Sequence, residues 1–502
     1  MARYKHYNYQ QTKMLPVNFE EQILPGTFEH CVNYLVDHEL DLELFNSRYK
    51  NDRTGAPAYN PTILLKIVLV AYSRGTTSSR RIERLCRENI IFMALSADSQ
   101  PHFTTIADFI SRMEEVIQPI FLQLLMTCDQ AGLIGQDMFA IDGCKLPSNA
   151  SKEWSGTHAD LQKKQRKLNT AVRRMLKKHR EEDAENTADE SIRQKELQQI
   201  ETLRGASKKV KQFLDTEEER VGSRGKPNKS NITDNHSAKM KTSHGVIQGY
   251  NGVAAADSKH QIVIAAEAFG QGPEHDLLEP LVEQVKENLG EAYIQNSALT
   301  ADAGFHNKNN IAYCNEENVD AYIADGNFRK RDPRFVDRER FKPTEKKKKF
   351  YQSGDFHIDI EANTCRCPAG KEMWKGGNRQ IEGNLYITFQ GYLKNCRTCP
   401  LQKQCMRKPP GKSGRQVSFK LGEIPNKPPN LTNQMREKID SNQGRHIYSE
   451  RLGAIEPVFG NINTTKGLDW FSLRGKSKVN AQWLMFCMVH NIEKLQRYGP
   501  ME

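Results

Sequence analysis

The chain has 502 residues, 73 of them Lys or Arg and 62 Asp or Glu, for a formal net charge of +11 and a pI near 9.0. That length accommodates roughly two to four domains and a sizeable core, and the basic balance favours a polyanionic partner, since each phosphate neutralised by Lys or Arg releases counterions. No apolar stretch reaches the roughly 18 residues a membrane span needs; the longest, ILLKIVLVAY, contains Lys66, and MARYKHYNYQ at the N-terminus lacks an apolar signal core. The expectation is a cytoplasmic protein with no membrane partner, its eleven cysteines mostly reduced.

Residues 1 to about 130 read as helical, with amphipathic or apolar patterns in FEHCVNYLVDHELDL, NPTILLKIVLVAYSRG, RRIERLCRENIIFMAL and TIADFISRMEEVIQPIFLQLLMTCDQAG, punctuated by Gly75, Pro101 and Gly132. SRGTTSSRRIERLCRENIIFMAL followed by SADSQPHFTTIADFISRM has the rhythm of short helices joined by polar turns. Ser78, Ser79, Arg80, Arg81 and Arg84 could meet phosphates at a helix N-terminus, and Thr104 or Thr105 would cap the second helix. A helix-turn-helix on DNA and ordinary helical packing with a solvated basic face both fit this pattern.

The first strand signal is MFAID, ending at Asp142, with Gly143 and Lys145 just beyond it. A charged insertion follows from about 151 to 230. Leu161, Leu168 and Met175 fall seven apart, Val172 lies four after Leu168, and Leu197, Ile200 and Leu203 recur later. This spacing predicts two helices in an antiparallel, coiled-coil-like arm. GSRGKPNKSNITDN reads as a linker.

TSHGVIQGYNGVAAAD and HQIVIAAEAFG then predict a hairpin turning at Asp257, Ser258 and Lys259. HDLLEPLVEQVKENL is an amphipathic helix, SALTAD a strand ending at Asp302, NKNNIAYCNEEN a helix and VDAYIAD a strand. Strand with Asp, hairpin, helix, strand with Asp is the order of an RNase H-like core, in which the first and fourth strands lie side by side. His306 is a secondary candidate, with a polar helix start as its plainer reading.

From 327 to 440 come the basic stretches FRKRDPRF and FKPTEKKKKF and a cysteine cluster, Cys365, Cys367, Cys396, Cys399 and Cys405. Two pairs at chelating spacing resemble a small zinc-ribbon-like knuckle holding a structural Zn²⁺ through thiolates. Five thiols are one more than a single zinc needs, and unmetallated buried cysteines or a disulfide are the competing readings. Four thiolates would leave no open position for a catalytic water.

YSERLGAIEPVFG, in a charged helical pattern, supplies the third acid, Glu456, with Tyr448 and Arg451 upstream and Lys466 downstream. SKVNAQWLMFCMVHNIEKLQRY is an amphipathic helix expected to close the core. Asp142, Asp302 and Glu456 offer the hard oxygen ligands that two divalent ions need to activate an attacking hydroxyl and stabilise the leaving oxygen at a phosphodiester.

These flanks resemble the DDE transposases of bacterial insertion sequences, in the group whose last motif runs Tyr-x2-Arg, then Glu, then Lys. Asp142 with Gly143 and Lys145, Asp302 with Gly304, Phe305 and His306, and Tyr448, Arg451 and Glu456 with Pro457, Val458, Phe459 and Gly460 stand where that group has its three motif blocks. Four residues lie between Arg451 and Glu456, one more than the group commonly has. Asn463 stands where its Lys would fall, with Lys466 the nearest Lys; Glu450 is the alternative third acid.

The resemblance implies an α/β, RNase H-like catalytic core (131–326 and 441–502) behind a helical N-terminal domain (1–130) for DNA binding or dimerisation, interrupted by the helical insertion at 151–230 and the basic, cysteine-rich insertion at 327–440. It implies catalysis by Asp142, Asp302 and Glu456 through Mg²⁺ or Mn²⁺. Tyr448, Arg451, Lys466, Arg80 and Arg81 would contact double-stranded DNA at terminal inverted repeats and target, and a homodimer would pair two ends. An RNase H-like nuclease without strand transfer and a non-catalytic DNA-binding regulator are the other readings.

Overall fold

The computed structural model describes residues 16–49, 57–184, 190–221, 225–335, 350–381, 384–423 and 430–500. The N-terminal MARYKHYNYQ and the lysine run at 346–349 lie outside the described residues. Two compact units form, Met1–Gly326 with Met435–Glu502, and Asn327–Gln434.

The first unit begins with helices α1 (Phe28–Tyr34), α2 (Pro61–Ser73), α3 (Ser79–Glu88), α4 (Ile90–Leu95), α5 (Phe103–Ser111) and α6 (Ile117–Gln130). Pro61 opens α2 and the Asn60 side chain caps it, accepting from the Thr62 amide at 2.9 Å. Every residue from Leu64 to Tyr72 is buried, as an all-round apolar helix requires. Lys66 tolerates this because its ammonium reaches Asp37 at 2.6 Å and Asn33 at 2.8 Å. The cap of α5 differs from expectation: the His102 ring, not Thr104 or Thr105, takes the capping position.

A six-stranded mixed sheet follows, built from β1 (Met138–Pro147), β2 (Ala238–Thr242), β3 (Gly245–Asp257), β4 (Val263–Phe269), β5 (Ala298–Ala301) and β6 (Ala321–Ile323). The order is β2-β3-β1-β5-β6, with β4 also on β3. β1 runs antiparallel to β3 and parallel to β5, in register from Met138↔Ala298 to Ile141↔Ala301. The strand continues past MFAID, so Asp142 lies within it, opposite Ala254, and not at its end. Helix α9 (Leu278–Leu289) connects β4 toward β5, and α10 (Lys308–Glu316) connects β5 to β6.

Between β1 and β2, α7 (His158–Ala184) and α8 (Glu190–Thr216) form the arm. His179 meets Glu196 at 2.6 Å, Ser207 meets Asn169 at 2.7 Å, and Leu161 packs with Val210 and Phe213, so rising numbers on one helix meet falling numbers on the other and the pair is antiparallel. Leu161, Val172 and Ile200 are buried in the seam, while Leu197 is 45% exposed and stands outside it.

Two helices close the sheet: α11 (Asn442–Phe459) and α12 (Lys476–Tyr498). The edge strand β4 is gripped by α12, where Asn491 exchanges both backbone hydrogen bonds with Val263 (2.8 and 2.9 Å) and Asn480 accepts from Ala268 at 2.9 Å. An edge covered in this way cannot pair with another chain. Trp483 lies on Gly252, where a Cβ would come within 3.2 Å of the indole, and donates to the Val253 carbonyl at 3.0 Å.

The second unit is a five-stranded antiparallel sheet of β7 (His357–Asp359), β8 (Thr364–Arg366), β9 (Glu372–Ile381), β10 (Asn384–Gly391) and β11 (Gln416–Glu423), in the order β11-β10-β9-β8-β7. Its small core is Phe356, Cys365, Met373, Ile387, Phe389 and Val417.

Candidate active site

The parallel pairing of β1 with β5 ends at Ile141↔Ala301, so Asp142 and Asp302 follow as the next residues on adjacent strands despite their separation in the chain. Each accepts from a nearby backbone amide: Asp142 from Gly143 at 2.8 Å and Asp302 from Gly304 at 2.7 Å. Helix α11 packs on β1, β3, β5 and β6 and brings Arg451 and Glu456 to the same place. Arg451 is buried and pairs with the Asp142 carboxylate. Burial pushes the Asp142 carboxyl up to about 6; Arg451 opposes this, and the charges of Asp302 and Glu456 add to it. Both acids therefore lie within electrostatic reach of Asp142.

Glu456 is solvent-exposed on α11, and Pro457 follows it inside the helix. Proline has no N–H for the carbonyl four residues back, which is that of Gly453. Gln261, in the β3–β4 turn, supplies the missing donor at 2.9 Å. The same Gln261 accepts at its carbonyl from His490 (2.8 Å) and at its side chain from Lys494 (2.6 Å), so the turn ties the Glu456 helix to α12. Glu450 instead pairs along the helix with His446 at 3.5 Å and is absent from the influences on Asp142, which favours Glu456 as the third acid.

A fourth carboxylate, Glu274, sits beside the trio and carries no motif of its own in the sequence. Lys145 meets it at 3.1 Å and Asn251 donates to it at 3.2 Å. A Cβ on Gly304 would lie 2.2 Å from Glu274 Oε2 and 2.9 Å from Asp302 Oδ1, and one on Gly143 would lie 2.8 Å from Asn251 Oδ1. Both motif glycines thus make room for polar side chains that face the acids. Two buried oxygens here, Asn251 Oδ1 and Asn463 Oδ1, lack a hydrogen-bond partner. The oxygen-rich donor set suits a hard divalent cation, although among the described residues no three His, Cys, Asp or Glu side chains are already gathered as a metal site.

The remaining candidates are dispersed. Lys466, expected at DNA, is 3% exposed and paired with Glu493. Tyr448 is half-buried on α11. Arg80 and Arg81 are exposed at the start of α3, where the Arg80 guanidinium lies over the Phe103 ring at 4.7 Å. His306 precedes Asn307, whose side chain caps α10 through the Asn310 amide at 2.9 Å. Of the five clustered cysteines, Cys365 is buried in the core of the second unit, whereas Cys367, Cys396, Cys399 and Cys405 line one cavity. Burial raises the Cys405 thiol, and charges at Arg415, Cys396, Cys399 and Cys367 act on it in turn.

Among the described residues no helix is long and apolar enough to cross a membrane. Residues 17–112, which include helices α1 to α5, match a transposase domain, and residues 366–496, which include Arg451, Glu456 and Lys466, match a transposase DDE domain. No curated protein matches the chain. The two matches support a DDE transposase of an insertion element. A DDE domain implies an RNase H-like core and metal-dependent nuclease or transposase activity, generally with a divalent ion such as Mg²⁺. Asp142 and Asp302 lie between the two matched stretches, so their assignment to the site rests on the geometry above.

Proposed function

We propose that this transposase binds the terminal inverted repeats of its element, cleaves the phosphodiester at each end and joins the freed 3′-hydroxyl to target DNA. The observation that carries the reading is the convergence of Asp142 and Asp302 on adjacent parallel strands beneath the helix that bears Glu456. Asp142, Asp302 and Glu456 would hold divalent cations, which when bound supply Lewis acidity at the attacking and leaving oxygens. Arg451 neutralises Asp142 in the metal-free protein and, once relieved of that partner, turns its guanidinium to a phosphate oxygen. Glu274 holds Lys145 and Asn251 in place beside the reacting phosphate. Arg80 and Arg81 contact the duplex backbone from α3, with Tyr448 a further DNA contact, and a homodimer brings two ends together.

Incubation of the full chain with labelled DNA carrying the element's ends and a second, unlabelled duplex, in Mg²⁺ or Mn²⁺, tests this reading. Joined products support it. Cleavage without joining favours a nuclease, and binding without cleavage favours a regulator.

A further inference from the structure

Outside the acidic site, the cysteines of the second unit form a further cluster of chemistry-bearing side chains. β8 alternates exposed, buried, exposed over Thr364, Cys365 and Arg366, as the two-residue period of a strand dictates. Cys365 therefore points into the core, 1% exposed, with its Sγ 3.9 Å from the Met373 sulfur. It belongs to that core and is not among the residues lining the adjacent cavity. The other four sulfurs line that cavity, of about 40 Å³, together with Asn395, Arg415 and Met373, the last shared with the core.

Three local structures bring them there. Cys367 begins a tight turn in which its amide donates to the Lys371 carbonyl at 2.9 Å and its carbonyl accepts from Gly370 at 2.7 Å; Gly370 has φ +72°, a conformation suited to glycine. Cys396 lies in the short helix Leu393–Arg397 and Cys405 ends the helix Gln402–Cys405. Cys399 lies between them, and its carbonyl accepts from the Gln402 amide at 3.1 Å. The Gln402 side chain donates back to the Cys396 carbonyl at 2.9 Å, tying the two helices. Cβ atoms on Gly391 and Gly414 would each come within 2.9 Å of Cys396 Sγ, so two strands of backbone approach this thiol as closely as glycine allows.

We propose that Cys367, Cys396, Cys399 and Cys405 bind one structural zinc ion, and that Cys365 takes no part. A turn presenting one thiol and a helical pair presenting three is a four-sulfur donor set, the number tetrahedral zinc takes, with each sulfur at about 2.3 Å. Among the described residues these side chains are not already gathered as a metal site, so loading would draw the four sulfurs together. All four ligands being thiolates, the ion has no position for water and serves the fold: it crosslinks the β8–β9 turn to the segment after β10 in a unit whose hydrophobic cluster comprises six buried residues among those described. The inference is independent of the proposed DNA chemistry.

The test is the zinc content of the full chain, purified under reducing conditions and dialysed against trace zinc. One zinc per chain is expected, with Cys367, Cys396, Cys399 and Cys405 protected from alkylation until a strong chelator is added, as mapped by peptide mass. That mapping needs no variant and so does not depend on one folding. Cys399→Ser and Cys405→Ser lose the ion, whereas Cys365→Ala keeps it. Folded wild-type protein without zinc, disulfides among these four sulfurs, zinc retained in Cys399→Ser, or zinc lost from folded Cys365→Ala would each overturn the proposal.

Discussion

Arg451 and Asp142, 309 positions apart, form a largely buried ion pair that ties helix α11 to the central strand β1, with the two side chains 7% and 15% exposed. Breaking a buried pair by removing one partner leaves an uncompensated charge. Asp142 can relieve this by taking a proton, since its carboxyl already stands near 6. Arg451→Ala should therefore lower the stability of the metal-free protein by about 1–3 kcal/mol at pH 8, and by less at pH 5, where the folded state holds the Asp142 proton. Urea unfolding at the two pH values measures this. Equal losses would mean that the pair is not electrostatic.

His490 supplies a second pH dependence. It is 1% exposed, and burial pushes its imidazole down to about 4. The unfolded chain binds the proton more readily, so stability from this group is present above about pH 6.5 and is lost as pH falls toward 4, amounting to at most about 3 kcal/mol. His490→Gln should remove that slope in acid unfolding curves between pH 6.5 and 4. A variant that keeps the wild-type slope would contradict the assignment.

Gly304→Ala places a Cβ 2.2 Å from Glu274 Oε2, which forces one of them to move. We expect a loss of about 1–3 kcal/mol and a fall in DNA cleavage. The double variant Gly304→Ala with Glu274→Ala should recover part of the stability, because the nearer clashing oxygen is gone while Asp302 Oδ1 still stands 2.9 Å from the new Cβ, without recovering cleavage. Thermal unfolding separates the two effects.

Gln261→Ala leaves the Gly453 carbonyl without its donor, because Pro457 cannot take the role. The expected loss is about 0.5–1.5 kcal/mol, together with weaker protection of the α11 amides in hydrogen exchange. Unchanged protection there would show that the turn does not hold the helix.

Much of the first unit was legible because periodicity and strand order are local. The alternation of apolar strands and amphipathic helices from MFAID to VDAYIAD set out a sheet in which Asp142 and Asp302 meet, and the antiparallel pairing of α7 with α8 followed from the leucine spacing. What was illegible depends on long-range neighbours. Lys466 reads as a free cation until Glu493 is found beside it. Glu274 sits in a loop with no pattern of its own, and only the space above Gly304 reveals its purpose. The extension of β1 past Asp142 is set by pairing with β3, which a window on Gly143-Cys144-Lys145 cannot contain. Five cysteines read as one cluster, but long-range packing takes Cys365 into the small core while the other four line the cavity beside it.

The most direct test of the central claim, that three carboxylates from β1, the end of β5 and α11 form one catalytic centre, compares Mg²⁺-dependent end cleavage by the intact chain with Asp142→Asn, Asp302→Asn, Glu456→Gln and Glu450→Gln. Cleavage abolished in the first three and retained in Glu450→Gln is the predicted result. Activity that survives Glu456→Gln but not Glu450→Gln would contradict it and move the third acid nearly two turns back along the helix.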